Sequence, residues 1–141
     1  MEQNQTTKNI DFSKIIAIQF LIYTLVIGVI PFSGFLEGSI VEGYEYLTDI
    51  LLYLGFIAVG VGVFLNKKFS AVHMTSSSLV DKTSNQKRQQ MCVVVSFAMF
   101  ELAAIYGFVC FILSGDTSYS GVLALIAFLA MLLHFPRSVA N

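Results

Sequence analysis

This chain of 141 residues is 56% hydrophobic and 12% charged, with a mean hydropathy of +0.77; an ordinary soluble domain carries about 25% charged residues. That balance argues against a water-soluble globule and points to the bilayer as solvent. A net charge of −1, with eight Lys and Arg scattered along the chain, excludes a phosphate-tracking surface and hence nucleic acid as a partner.

Residues 1–13 (MEQNQTTKNIDFS) are polar and are expected to form a short cytoplasmic tail, disordered or lying on the membrane surface. The first apolar run, Ile15 to Phe32, follows Lys14 and contains Pro31. It exceeds the roughly 7–15 residues of a signal-peptide core and no small-residue cleavage site follows it. An uncleaved transmembrane helix over about 15–33 is expected.

Residues 33–49 carry Glu37, Glu42, Glu45 and Asp49 with three glycines and no base, which reads as a loop. The chain lacks Trp, so tyrosines such as Tyr44 and Tyr46 must supply any aromatic belt at the headgroups. The second run, Ile50 to Leu65, reaches spanning length when Tyr46 and Leu47 are included. A helix over about 46–66 is expected, stopped by Asn66-Lys67-Lys68. Gly55, Ala58 and Gly62 recur at i, i+3 and i+7 and leave one face without bulk, a pattern that lets helices approach closely in lipid.

Residues 67–90 form the one long polar stretch, expected to be a cytoplasmic loop in which His73 is simply solvated. The third run, Met91 to Leu113 (MCVVVSFAMFELAAIYGFVCFIL), is 23 residues long and apolar or small throughout except at Glu101. At about 1.5 Å per residue it can cross the roughly 30 Å hydrocarbon core. Cys92 and Cys110 would lie about 27 Å apart along it, far beyond the ~7 Å that a disulfide allows. They read as small apolar residues, and no Cys/His cluster has metal-site spacing. A tight SGDTS turn at 114–118 leads to a last span over about 119–135, closed by Pro136-Arg137, with His134 at the interface.

The expected fold is all-α: one membrane domain, 1–141, of four antiparallel transmembrane helices. Lys8, Lys14, Lys67, Lys68, Lys82, Lys87, Arg88 and Arg137 fall on one side of that bundle. Glu37, Glu42, Glu45, Asp49 and Asp116 occupy the opposite loops, which hold no base. The positive-inside rule then places both termini and the 67–90 loop in the cytoplasm of a multi-pass inner (cytoplasmic) membrane protein.

Glu101 lies about 15 Å into its helix, near the midplane. An ionisable group there costs several kcal/mol and ordinarily faces a partner or a water-filled path. Helical spacing puts Phe97, Ala98, Ala104, Ile105 and Phe108 on its face, with Ala103 and Gly107 as a small, packable flank. Antiparallel pairing with the second helix would set Gly55 and Ala58 at similar depth. Tyr23, Tyr53 and Tyr106 are the candidate hydrogen-bond partners. No Lys or Arg lies within any span, so nothing cationic holds the acid ionised, and the neutral, hydrogen-bonded form is the expected resting state.

The phrase FELAAIYGFVCFIL, through Glu101, Ile105, Tyr106, Gly107 and Val109, resembles the carboxylate helix of rotary ATPase c subunits (proteolipids). Arg88-Gln89 resembles that family's Arg-Gln-Pro loop, and Gly60-Val61-Gly62 its glycine-rich first helix. The likeness covers residues 55–113 at most and implies a hairpin with an ion-carrying carboxylate on its returning helix. The chain departs from the pattern in having a single GxG, Gln90 where Pro is expected, a longer loop and two additional spans. With Glu101 in span three and LLHFPR after span four, it also resembles small four-span bacterial membrane proteins.

No nucleophile–base pair, phosphate-binding glycine loop or acid pair on one face stands in the sequence, so neither an enzyme nor a cofactor is expected. The leading expectation is a membrane protein that binds or relays a proton or monovalent cation at Glu101, as a homo-oligomer. The alternative is a structural or accessory subunit scaffolding a larger membrane complex. In a cysteine-free background, single cysteines at 75–85 should label from the cytoplasmic side and those at 38–43 from outside. The reverse pattern, or an odd number of crossings, would overturn the topology.

Overall fold

The computed structural model describes residues 3–36, 43–72 and 79–136. Glu37, Glu42, His73 and Arg137 lie outside the described residues. Within them the chain forms four α-helices: α1 (Gln3–Val29), α2 (Glu45–Val72), α3 (Leu79–Ser114) and α4 (Thr117–Leu133). Three stretches are long and apolar enough to cross a membrane: Lys14–Ser33, Glu45–Lys68 and Gln90–Ser114. The fourth helix, expected to span, has 17 residues, about 26 Å at helical rise and so a few ångströms short of the hydrocarbon core.

The helices overrun the expected boundaries. α1 begins at Gln3, within the stretch read as a loose tail, because no Gly or Pro interrupts the chain from there to Ile27. The polar segment 67–90, read as a loop, is helical at both ends: α2 continues to Val72 and α3 starts at Leu79. No Gly or Pro occurs at 63–72 or 79–106, so polarity ends the membrane-compatible stretch without ending the helix.

The helix ends have identifiable causes. Pro31 cannot continue α1, so the chain tightens into a 3₁₀ turn over Ile30–Ser33 and leaves it through Gly34 in the left-handed region (φ 71°). The Ser33 hydroxyl donates to the Ile30 carbonyl at 2.6 Å. Between α3 and α4 the chain reverses within two residues. The Gly115 amide donates to the Phe111 carbonyl at 2.8 Å, and the Asp116 side chain caps α4 by accepting from the Ser118 amide at 2.8 Å. Hydrogen bonds from Ser118 hold the Asp116 carboxyl below its ordinary pKa.

α3 packs against each of the other helices, whereas α1 and α2 pack on α3 and α4 rather than on one another. The core is built from small residues and large rings: Ala17, Ala58, Ala103, Ala104, Ala124, Ala127 and Ala130 beside Phe97, Phe100 and Met131. The alanines bring backbones close, and the rings fill the space that remains. At Gly107 the backbone of α3 lies directly against that of α4. A β-carbon there would lie 3.1 Å from the Tyr119 carbonyl oxygen and 3.2 Å from the Ser120 Cα, both backbone atoms of α4. At Gly62 it would meet the Phe100 ring at 2.6 Å and the Ser96 carbonyl oxygen at 3.1 Å, whereas at Gly55 it would meet only the flexible tip of Leu123.

These contacts predict a graded series of Gly→Ala effects on thermal unfolding of the purified protein. Gly107→Ala and Gly62→Ala should destabilise by about 1–3 kcal/mol, the range for overpacking against groups that cannot yield. Gly55→Ala should cost less. Gly60→Ala, with open space around it, should be neutral or stabilising because Ala is the better helix former. Equal tolerance at Gly107 and Gly60 would contradict the packing.

Candidate functional site

Glu101 sits where the buried side of α3 meets its exposed side. Of the neighbours on its face, Phe97 and Ala104 are fully buried while Ala98 and Ile105 are exposed. The carboxyl group therefore neither enters the core nor projects freely. It lines an open groove of about 290 Å³ between α3 and α1, whose other walls are Gln19, Phe20 and Tyr23.

Helical spacing assembles the α1 wall. Gln19 and Tyr23 are four residues apart and so lie on one face, one turn above the other. Phe20 beside them meets the buried Phe97 edge-on, with ring centroids 6.3 Å apart, so packing holds its ring in place. On the next face Thr24 is buried and its hydroxyl donates to the Met131 sulfur at 3.5 Å, which ties α1 to α4. One side of α1 thus grips the bundle while the adjoining side borders the groove.

Tyr23 is the tyrosine that shares the groove with Glu101. Tyr53, on α2, is 68% exposed and lies elsewhere. Tyr106, on α3 itself, is half-buried and also outside the groove walls. The small residues Gly55, Ala58, Gly62, Ala103 and Gly107 are all buried in helix contacts. The contacts of the α2 pair are divided: Gly62 lies against Ser96 and Phe100 of α3, whereas Gly55 lies against Leu123 of α4. The bare backbone expected opposite Glu101 at Gly55 is therefore occupied by α4. Gln19 and Phe20 join the site beyond the residues the sequence points to; the signal for them is the i, i+4 spacing of Gln19 and Tyr23 in a largely apolar run.

Among the described residues no side chain hydrogen-bonds to or ion-pairs with the Glu101 carboxyl. Lys14, Lys67 and Lys68, the bases with described side chains, stand at the ends of the apolar stretches. His134 lies closer to this level, because its ring packs against Phe100 with centroids 5.9 Å apart. Its Nδ1 is 2.8 Å from the Ala130 carbonyl oxygen. A carbonyl only accepts, so Nδ1 carries a proton and serves α4 rather than the groove. Cys92 and Cys110 are free thiols, and the Cys110 sulfur reaches the Thr48 carbonyl at 3.5 Å.

The groove can therefore offer one carboxyl, one amide and one phenol beside an aromatic wall, at the border between bundle and surroundings. No known protein family, curated protein or solved structure matches the chain. Replacing Tyr23 by Leu should change the reactivity of Glu101 toward a carboxyl-directed reagent at least severalfold, while Tyr53→Leu should leave it unchanged. Equal effects of the two would separate Tyr23 from the site.

Proposed function

We propose that the chain is a multi-pass inner-membrane protein of four antiparallel helices with both termini in the cytoplasm, and that Glu101 binds or relays a proton or monovalent cation near the midplane. The observation that carries this reading is the groove: the single carboxyl of an apolar helix lines an open space with Gln19 and Tyr23. A carboxyl that served only to pin helices together would be expected to end on a partner inside the core. The paired contacts Thr48–Cys110 and Gly62–Ser96 support an up-down α2–α3 hairpin. Thr24–Met131 and Gly28–Ala124 do the same for α1 and α4.

Charge balance favours a proton or a monovalent cation: the groove holds a single carboxyl, which when ionised neutralises one positive charge. One bundle has few polar groups with which to line a complete path, so assembly into a homo-oligomer or a larger membrane complex belongs to the proposal. The open surroundings of Glu101 support this reading.

The test is modification by an apolar carbodiimide, which attacks the protonated carboxyl. In the reconstituted protein Glu101 should be modified, more slowly as the pH rises, and sodium should protect it if the site takes that ion. Glu101→Gln should fold and assemble but lose the modification and any associated transport, and Glu101→Asp should retain part of both. Absence of modification at every pH would make Glu101 a sealed packing group and favour the scaffold reading.

A further inference from the structure

The groove around Glu101 is larger than a proton or a bare monovalent ion requires. Its volume of about 290 Å³ equals the liquid-phase share of roughly ten waters. It also lies near the lower end of the range in which small organic molecules bind, about 300–1,000 Å³. Two of its four lining side chains are aromatic, Phe20 and Tyr23, and a third is the carboxyl. Aromatic faces beside a carboxylate are how proteins recognise ammonium groups that carry apolar substituents, because the ring quadrupole attracts the cation while the ring surface accepts its carbon. A hydrated sodium ion would gain nothing from the ring.

From this we infer that the groove is a binding site for a small apolar organic cation, of the quaternary ammonium type, lodged between α1 and α3. This rests on the reading of Glu101 as a cation-binding carboxylate and adds the class of its ligand. The cation's charge faces Glu101, with the dipole of the Gln19 side-chain carbonyl beside it, and its apolar part lies along Phe20 and Tyr23. Phe20 is suited to this because its contact with the buried Phe97 keeps the ring from collapsing into the groove. Charge complementarity selects a cation, since the apolar runs that bear the groove contain no base, and the ionised acid has no partner among the described residues. The groove is open and two of its walls, Gln19 and Tyr23, are exposed, so an apolar cation can enter it without crossing the core.

The experiment is equilibrium binding of labelled benzyltrimethylammonium to the full chain in nanodiscs, with unlabelled compound and its uncharged isostere neopentylbenzene as competitors. Saturable binding is expected, displaced at least tenfold more effectively by the cation than by the isostere. Glu101→Gln should weaken it tenfold or more, and Phe20→Leu or Tyr23→Leu by about three- to tenfold. Tyr23→Phe should bind nearly as wild type, since the ring face remains, and Tyr53→Leu should be unaffected. Equal displacement by the isostere, or equal losses from Tyr23→Leu and Tyr53→Leu, would overturn the assignment. Absence of binding while carbodiimide still modifies Glu101 would overturn the organic-cation assignment and leave the proton or metal-ion reading intact. Absence of both would remove both.

Discussion

The position of Glu101 depends on α3 being unable to rotate. Every other helix packs on α3, and its buried side carries Phe97, Phe100, Ala103, Ala104 and Cys110. A helix places successive side chains about 100° apart, so fixing Phe100 and Ala104 in the core fixes Glu101 at the edge. Turning the carboxyl fully outward would drag Phe100 out of its packing, and turning it fully inward would bury an unpartnered acid. Both are costly, by several kcal/mol in the first case and by the desolvation of a polar group in the second. The border position is what remains, and the adjoining face of α1 supplies its polar neighbours.

That fixed orientation relies on close backbone approach. In lipid there is no hydrophobic gain from bringing two apolar helices together, so association depends on contact density. Gly107 meets the backbone of α4, Gly62 meets a ring and a carbonyl of α3 itself, and seven alanines line the core. α4 is short, yet it packs against α1, α2 and α3 alike. Glu101 is left in the company of α1, and no residue of α2 lines the groove.

Much of this architecture could be read from the residues. The apolar runs, the tight Ser114–Ser118 turn and the small-residue positions that become helix contacts all follow from local chemistry: hydropathy over a spanning length, a left-handed glycine and side-chain volume. What escaped was tertiary. Periodicity tells which residues share a face but not which helix that face meets, so Tyr53 and Tyr23 were equivalent candidates until α1 took the place beside Glu101. Gly55 looked like the open space opposite the acid, and Leu123 of α4 fills it. The overrun of α1, α2 and α3 had a simpler origin. Polarity marks the end of an apolar stretch but not of a helix, and the overrunning segments hold no Gly or Pro to break one.

On the proposed reading Glu101 is an accessible, titrating carboxyl rather than a sealed packing group. Infrared difference spectroscopy of the membrane-reconstituted protein tests it directly, using ¹³C-labelled glutamate to separate side-chain carboxyl bands from the amide background. A protonated-carboxyl C=O band should be present at low pH, disappear reversibly as the pH is raised, and be missing from Glu101→Gln. A carboxyl band assigned to Glu101 that does not change across the whole pH range would make Glu101 a sealed packing group instead.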